Sequence, residues 1–277
     1  MRYFSEQLQQ QIINFVNKRY HSRAHGKVVG FIGDHISSRI LAKGFYELDE
    51  LEALHDYMIS NGRPLKLFVD IGANIGNHTL FFANKFEAIL AIEPDPIIFK
   101  VLELNTLLSG SDSIEIYNVA ASSTQGDVKF QRAATQNQGT GKVVSLQEQQ
   151  GLISVPAVRA DDILKDKAEP SLIKLDVEGY ERQVLLGMKH TLENTDAIIA
   201  FEANSIEDYI ETSEYLKKFG YSHFSTFAYG LSGLPKILRV FLRIVTFSKK
   251  KWQRISTPSP LCISDLIIAS KKNVGGI

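Results

Sequence analysis

One cysteine, Cys262, stands in the 277 residues, so no disulfide can close within the chain and no cysteine-rich metal site can be built. Its apolar neighbours, Leu261 and Ile263, suit a buried thiol, and a reducing compartment is the expected setting. Net charge is absent too: 31 basic residues balance 31 acidic ones, so no global field draws the chain to nucleic acid or to an acidic partner. No uncharged run reaches the ~18 residues that a membrane span needs. The stretch Met1 to Asn17 carries acid and glutamines where a secretory leader needs an apolar core, and the chain reads as cytoplasmic. Repeats and low-complexity linkers are missing as well. What the 44% hydrophobic content allows is one full-sized core plus an extension.

After residue 65, short apolar runs alternate with helical patterns, which predicts a largely parallel sheet with helices on both faces. Strands are expected near 66–70, 88–92, 114–119, 172–176, 197–202, 221–227 and 262–270, and helices near 77–86, 95–109, 181–192 and 206–219. Residues 123–160, with Gly126, Gly139, Gly141, Gly151 and Pro156, read as a β-hairpin insertion. Residues 1–64 read as an N-terminal helical cap, with patterns near 5–20 and 47–60, expected to pack over the ligand crevice of the domain formed by residues 65–277.

The most informative stretch is Leu67-Phe-Val-Asp70-Ile-Gly72-Ala-Asn74-Ile-Gly76-Asn-His78, a buried strand, a glycine turn and a helix start in succession. Asp70 separates this turn from phosphate-binding ones. A carboxylate directly before the first glycine would oppose a pyrophosphate by several kcal/mol at an effective dielectric of ~20. A cationic ligand without phosphate suits it, and S-adenosylmethionine carries an ammonium, a sulfonium and a ribose diol. A second strand ends in Glu93, placed to accept from that diol. Asp176 and Glu202 end two later strands, and Glu178 follows one turn beyond Asp176. Acids are depleted in strands, so Asp70, Glu93, Asp176 and Glu202 at one sheet edge mark a site. His78 and His223 read as packed or solvent-facing, and Lys174 as half of an ion pair.

The chain resembles the FkbM-type S-adenosylmethionine-dependent methyltransferases. The resemblance rests on Asp70-Ile-Gly-Ala-Asn-Ile-Gly76, Ile92-Glu-Pro-Asp-Pro96, Asn118-Val-Ala-Ala-Ser122, Arg159-Ala-Asp-Asp162, Ile173-Lys-Leu-Asp-Val-Glu-Gly-Tyr-Glu181 and Phe201-Glu202, with Gly44-Phe-Tyr-Glu47 upstream. It runs from about residue 34 to 227 and implies a Rossmann-like α/β class I methyltransferase fold, a seven-stranded sheet of order 3-2-1-4-5-7-6. It implies methylation of a hydroxyl oxygen on a small molecule, glycan or polyketide, with S-adenosylhomocysteine as product. By the same resemblance Asp70, Gly72, Ala73, Asn74 and Gly76 hold the methionine end of the cofactor, Glu93 the ribose and Ala120 the adenine edge. An alcohol must also lose its proton, and Asp176, Glu178 and Glu202 are the candidate bases, in that order. The same three acids could instead hold a divalent metal such as Mg²⁺ against the acceptor oxygen if they converge.

A segment from about 230 to 256 carries Lys236, Arg239, Arg243, Lys249, Lys250, Lys251 and Arg254, and no acid lies among them. With Leu234, Ile237, Leu238, Phe241, Leu242 and Val245 at helical spacing, it reads as a basic amphipathic insertion. One expectation is that residues 234–254 meet an anionic membrane face, where a lipid-linked sugar would be the acceptor. The other is that the apolar side packs on the domain or forms a homodimer. Two further readings stand beside the methyltransferase: a nicotinamide-dependent sugar-modifying oxidoreductase, and a non-catalytic cofactor-binding or membrane-adaptor module.

Overall fold

The computed structural model describes residues 28–132, 141–144, 152–229, 250–258 and 263–272. The helical pattern near 5–20, Cys262, and most of the basic amphipathic pattern, residues 230–249, lie outside the described residues.

Helix α1 (His35–Lys43) begins where the Asp34 carboxylate accepts from Ser37 N and stops at Gly44, φ 90°. Helix α2 (Leu48–Ser60) buries Leu51, Leu54, Tyr57 and Met58, one apolar stripe. Strand β1 (Leu67–Ile71) is buried at every position, and α3 (Asn77–Phe82) follows its glycine turn. After β2 (Ala88–Ile92), Asp95 caps α4 (Pro96–Ser109), whose first position holds proline, and Gly110 ends it at φ 66°. Next come β3 (Ile114–Tyr117), β4 (Ala120–Ser122), β5 (Gly126–Gln131), β6 (Lys142–Val144), β7 (Leu152–Arg159) and α5 (Ala160–Leu164). Strand β8 (Pro170–Leu175) leads to α6 (Glu181–Leu186) and α7 (Lys189–Asn194), and β9 (Ile198–Ala203) to α8 (Ile206–Lys217). Strands β10 (His223–Tyr229), β11 (Lys250–Arg254) and β12 (Ser264–Ser270) complete the described chain.

The main sheet runs β11-β10-β12-β9-β8-β1-β2-β3. Strands β3, β2, β1, β8 and β9 are mutually parallel, while β12 is antiparallel to both β9 and β10. Chain order reverses between β1 and β8, so the carboxyl ends of these two strands frame the crevice where open α/β sheets bind ligands. One sheet face buries Phe68, Leu172 and Ile268 against Phe45, Leu51, Phe81 and Phe82; the other buries Val69, Ile173 and Phe201 against Val184, Leu185 and Leu216.

The sheet has eight strands, where seven were expected. The addition is β11, cut from the basic segment read as amphipathic. Its Trp252 packs at a tilt against Tyr57 and Phe227 with centroids 5.2 and 5.4 Å away, and Lys250 pairs with Glu50, so this lysine has an acidic partner that the local sequence does not show. The expected hairpin insertion is part of a second sheet of order β4-β7-β5-β6, because β7 returns alongside both β5 and β4. The helix expected over 181–192 breaks at Gly187, where a Cβ would stand 1.8 Å from the Ser122 carbonyl oxygen. Among the described residues, no helix is long and apolar enough to cross a membrane.

Candidate functional site

From β1 the chain turns through Gly72, Asn74 and Gly76, at φ 85°, 52° and 94°, into α3. Only glycine fits the first of these. A Cβ at Gly72 would lie 1.8 Å from the Asp176 carbonyl oxygen, so the turn after β1 rests directly on the turn after β8. Gly72 N and Ala73 N donate to Ile92 O at 2.9 and 3.0 Å, tying the same turn to the end of β2. Glu93 follows, its Oε2 accepting from Asn74 N at 2.9 Å and its Oε1 from Asp95 N at 2.8 Å. Asn118 Nδ2 donates to Glu93 O at 2.8 Å and holds the start of β4 against this corner.

A cleft results. Gly72, Asn74, Glu93, Asp95, Asp176 and Tyr180 wall it on the main-sheet side, and Ala120, Phe130 and Val143 of the second sheet close it from the other. Burial, the largest influence, pushes the Glu93 carboxyl up to about 8; the two backbone hydrogen bonds pull it down and the charges of Asp95 and Asp176 push it up again. Glu178 and Glu181 are also held above the ordinary carboxylate value, first by burial and then, among other influences, by Asp176. No lysine or arginine is among the described residues that wall the cleft.

Behind the turn lies a second, charged cluster. Asp70 is fully buried and outside the cleft wall; its Oδ2 accepts from Thr79 Oγ1 at 2.6 Å and its Oδ1 has no hydrogen-bond partner among the described residues. Lys174, buried beside it in β8, donates to Asp176 Oδ2 at 2.7 Å. Burial pulls this ammonium down, but Asp176, Glu202 and Asp70 outweigh it and hold the lysine above its ordinary value. Glu47 and His78 face each other at 3.5 Å on the same side. Three described residues other than glycine have positive φ, namely Glu47, Asn74 and Glu178, and all three stand at this end of the sheet, where backbone strain marks a built site.

Of the residues expected from the sequence, Gly72, Asn74, Glu93, Ala120 and Asp176 line one cleft. Ala73 and Gly76 pack instead against Leu102 of α4 and set the turn's seat. Glu202 lies in the field of Lys174, and Glu178 in the strained turn beyond Asp176. Site residues that the sequence argument passed over are Glu47, quoted only as part of an upstream motif, and Tyr180, whose hydroxyl meets Ser122 Oγ at 3.0 Å. One quoted motif is a brace: Asp161 accepts from His190 N, Thr191 N and Thr191 Oγ1 at 2.7–2.8 Å and caps α7, while Arg159 pairs with Asp162. Among the described residues no group of three or more His, Cys, Asp or Glu is arranged to hold a metal ion.

These features define an α/β protein with a cleft at the carboxyl edge of its sheet, where Glu93, Asp95 and Asp176 stand in the wall, Asp95 paired with Arg132 and Asp176 with Lys174. The methyltransferase FkbM domain matches residues 70–223, more than half of the chain, and the chain belongs to that family. A curated relative, the hexuronic acid methyltransferase AglP of Haloferax volcanii, is 30% identical over 132 residues, covering 47% of this chain and 53% of the relative. The match therefore spans about half of that relative's length. A methyltransferase FkbM structure from Methylobacillus flagellatus KT is 19% identical with a TM-score of 0.47, covering 74% of this chain and 43% of that one. A precorrin-6y C5,15-methyltransferase from Geobacter metallireducens GS-15 is 12% identical with a TM-score of 0.43, covering 83% and 94%.

Proposed function

We propose that this chain is an S-adenosylmethionine-dependent O-methyltransferase whose acceptor is a hydroxyl on a glycan, a lipid-linked sugar or a related small molecule. The observation that carries the reading is the cleft wall: Glu93, Asp95 and Asp176 stand in it, and no lysine or arginine is among the described residues that line it, the nearest cations being Arg132, paired with Asp95 at 2.8 Å, and Lys174, paired with Asp176 at 2.7 Å. That donor set suits an ammonium, a sulfonium and a ribose diol, and it disfavours the pyrophosphate of a nicotinamide cofactor. The hexuronic acid substrate in the name of the Haloferax volcanii relative supports a sugar as acceptor.

Bound in the cleft, the cofactor would supply a methyl carbon activated by its sulfonium. The chain's part is alignment and proton handling. Both oxygens of Glu93 keep a lone pair beyond the backbone bonds they accept, enough for a ribose diol. Ala120 leaves the wall flat for an adenine ring. Fixing donor and acceptor in line contributes through effective molarities of ~10⁵–10⁸ M. Asp176 and Glu202, which share Lys174, are suited to orient the acceptor's hydroxyl groups. Glu178, held above the ordinary carboxylate value by burial and by Asp176, is the base that we assign to the reacting hydroxyl.

Thermal denaturation in the presence of S-adenosylhomocysteine or of NAD tests the reading. Either ligand at ~100 times its dissociation constant adds ~2.7 kcal/mol of stability if it binds the folded chain. The expected result is a raised melting temperature with S-adenosylhomocysteine alone; a rise with NAD alone would replace the methyltransferase with the oxidoreductase.

A further inference from the structure

Two sheets bound the cleft, and they are joined unevenly. Along the β4 edge the second sheet is tied down several times over: Ser122 Oγ meets the Tyr180 hydroxyl at 3.0 Å, and Ser123 Oγ donates to Gln183 Oε1 at 2.8 Å. The Ser122 carbonyl oxygen also lies where a Cβ at Gly187 would stand 1.8 Å away, so the backbones are in contact there. At the other side of this sheet, β5 and β6 close the cleft with Phe130 and Val143. There the tie is Arg132, the residue after β5, whose Nε donates to Asp95 Oδ2 at 2.8 Å. Among the described residues it is the one ion pair or hydrogen bond that joins this end of the second sheet to the main-sheet wall.

The walls bury each other. Glu93 is 6% exposed and Phe130, opposite, 4%, and Asp95 and Ala120 are buried as well. A cleft wide enough to pass a nucleoside leaves its walls accessible to water, so these walls stand too close for passage. Packing above them is tight too, since a Cβ at Gly141 would come within 2.7 Å of Phe130 Cζ. The β4 edge is anchored, which leaves the β5–β6 edge to move, and moving it separates Arg132 from Asp95. The seat of that pair is rigid: Asp95 Oδ1 caps α4 by accepting from Ile97 N at 2.7 Å, and Asp95 N donates to Glu93 Oε1.

We propose that Arg132 and Asp95 form the latch of a gate, and that the β5–β6 edge of the second sheet lifts to pass the nucleoside cofactor. The proposal rests on the cofactor reading given above and goes beyond it by assigning the route of entry. Because the pair holds the closed cleft whether it is empty or filled, its contribution cancels from affinity and appears in the rates. No chemical step is assigned to either residue.

Surface plasmon resonance on the immobilised chain, with S-adenosylhomocysteine as the probe, reads both rates without an acceptor. The chains compared are the wild type, Arg132→Met, Asp95→Asn, which keeps a helix cap, and the double variant. On- and off-rates should both rise about 3- to 10-fold in each single variant, with no further rise in the double and Kd within about 2-fold of the wild type. Arg132→Lys, which retains a charge for Asp95, should restore slow exchange. A rise in the off-rate alone would make Arg132 a binding contact, and unchanged rates would leave the pair without a gating role; either result overturns the proposal. A second measurement needs no ligand: spin labels on Lys100→Cys in α4 and Lys129→Cys in β5, in a Cys262→Ser background, report the separation of the two walls. Arg132→Met should lengthen and broaden that distance distribution, and an unchanged distribution would overturn the gate. A wild-type chain that binds no S-adenosylhomocysteine while its labels separate as expected would overturn the cofactor reading alone.

Discussion

Lowering the pH should expel the cofactor, and Glu93 is the reason. Its carboxyl is pushed up to about 8 in the empty cleft, and a ribose diol can donate both O–H groups, as charge-assisted hydrogen bonds, to the ionised form, whereas the protonated form turns one oxygen into a donor. Binding therefore favours ionisation and releases a proton, so affinity rises with pH and levels off above the carboxyl's own value. With a pKa of about 8, only ~1% of the chains are ionised at ~pH 6, and affinity there should be roughly 100-fold below its plateau. Each unit of pH below the pKa weakens binding tenfold, about 1.4 kcal/mol. The assay is calorimetric titration with S-adenosylhomocysteine in buffers of different ionisation enthalpy, which yields affinity and proton count together. Near pH ~7 it should show ~0.9 proton released per ligand bound. Glu93→Gln should bind weakly with a flat profile. A flat profile in the wild type, or proton uptake on binding, would refute the reasoning. The empty fold follows the opposite slope: the raised carboxyl means the native chain keeps a proton that the unfolded chain has lost, so its contribution to stability is present below 4.5 and disappears as pH rises through about 8.

Gly72→Ala would place a methyl group 1.8 Å from the Asp176 carbonyl oxygen; it should destabilise by more than the ~1–2 kcal/mol of left-handed strain and abolish S-adenosylhomocysteine binding, read by denaturation and calorimetry. Lys174→Met leaves Asp70, Asp176 and Glu202 without their shared cation and should cost ~3–5 kcal/mol in urea unfolding; an unchanged midpoint would show that the cluster is neutralised in some other way. Tyr221→Phe deletes a buried hydroxyl that has no hydrogen-bond partner among the described residues and should stabilise the fold by ~1 kcal/mol, a raised melting temperature being the check. Glu178→Gln should lower kcat by ~10²–10⁴-fold on a methyl glucuronide probe while leaving S-adenosylhomocysteine affinity intact; equal loss in both would move Glu178 to the cofactor.

Where one period dominated, the sequence was readable. The short, largely apolar runs around Val69, Leu90 and Ile173 read as buried parallel strands, and the acids at their ends stand at one sheet edge because the strands share a direction. The helix expected near 95–109 runs from Pro96 to Ser109, with Asp95 as its cap. What stayed hidden depends on contacts far apart in the chain. Nothing local shows that Lys250 meets Glu50, that Trp252 seats between Tyr57 and Phe227, or that Gly187 must let the chain at Ser122 come close. Likewise the role of Lys174 was legible as an ion pair, whereas its sharing among carboxylates from several elements needed the assembled sheet.

Asp161 carries a lesson for reading other chains. It sits in one of the motifs by which kinship is recognised, and its carboxylate spends all its bonds bracing α7. Resemblance at such a position testifies that the scaffold has been inherited, and it says nothing about competence. A descendant could lose Glu93 and keep Asp161, and its sequence would still be filed with the enzymes. Inheritance of the scaffold and survival of the chemistry are thus written in different residues, and only the second set deserves to be consulted when activity is at issue.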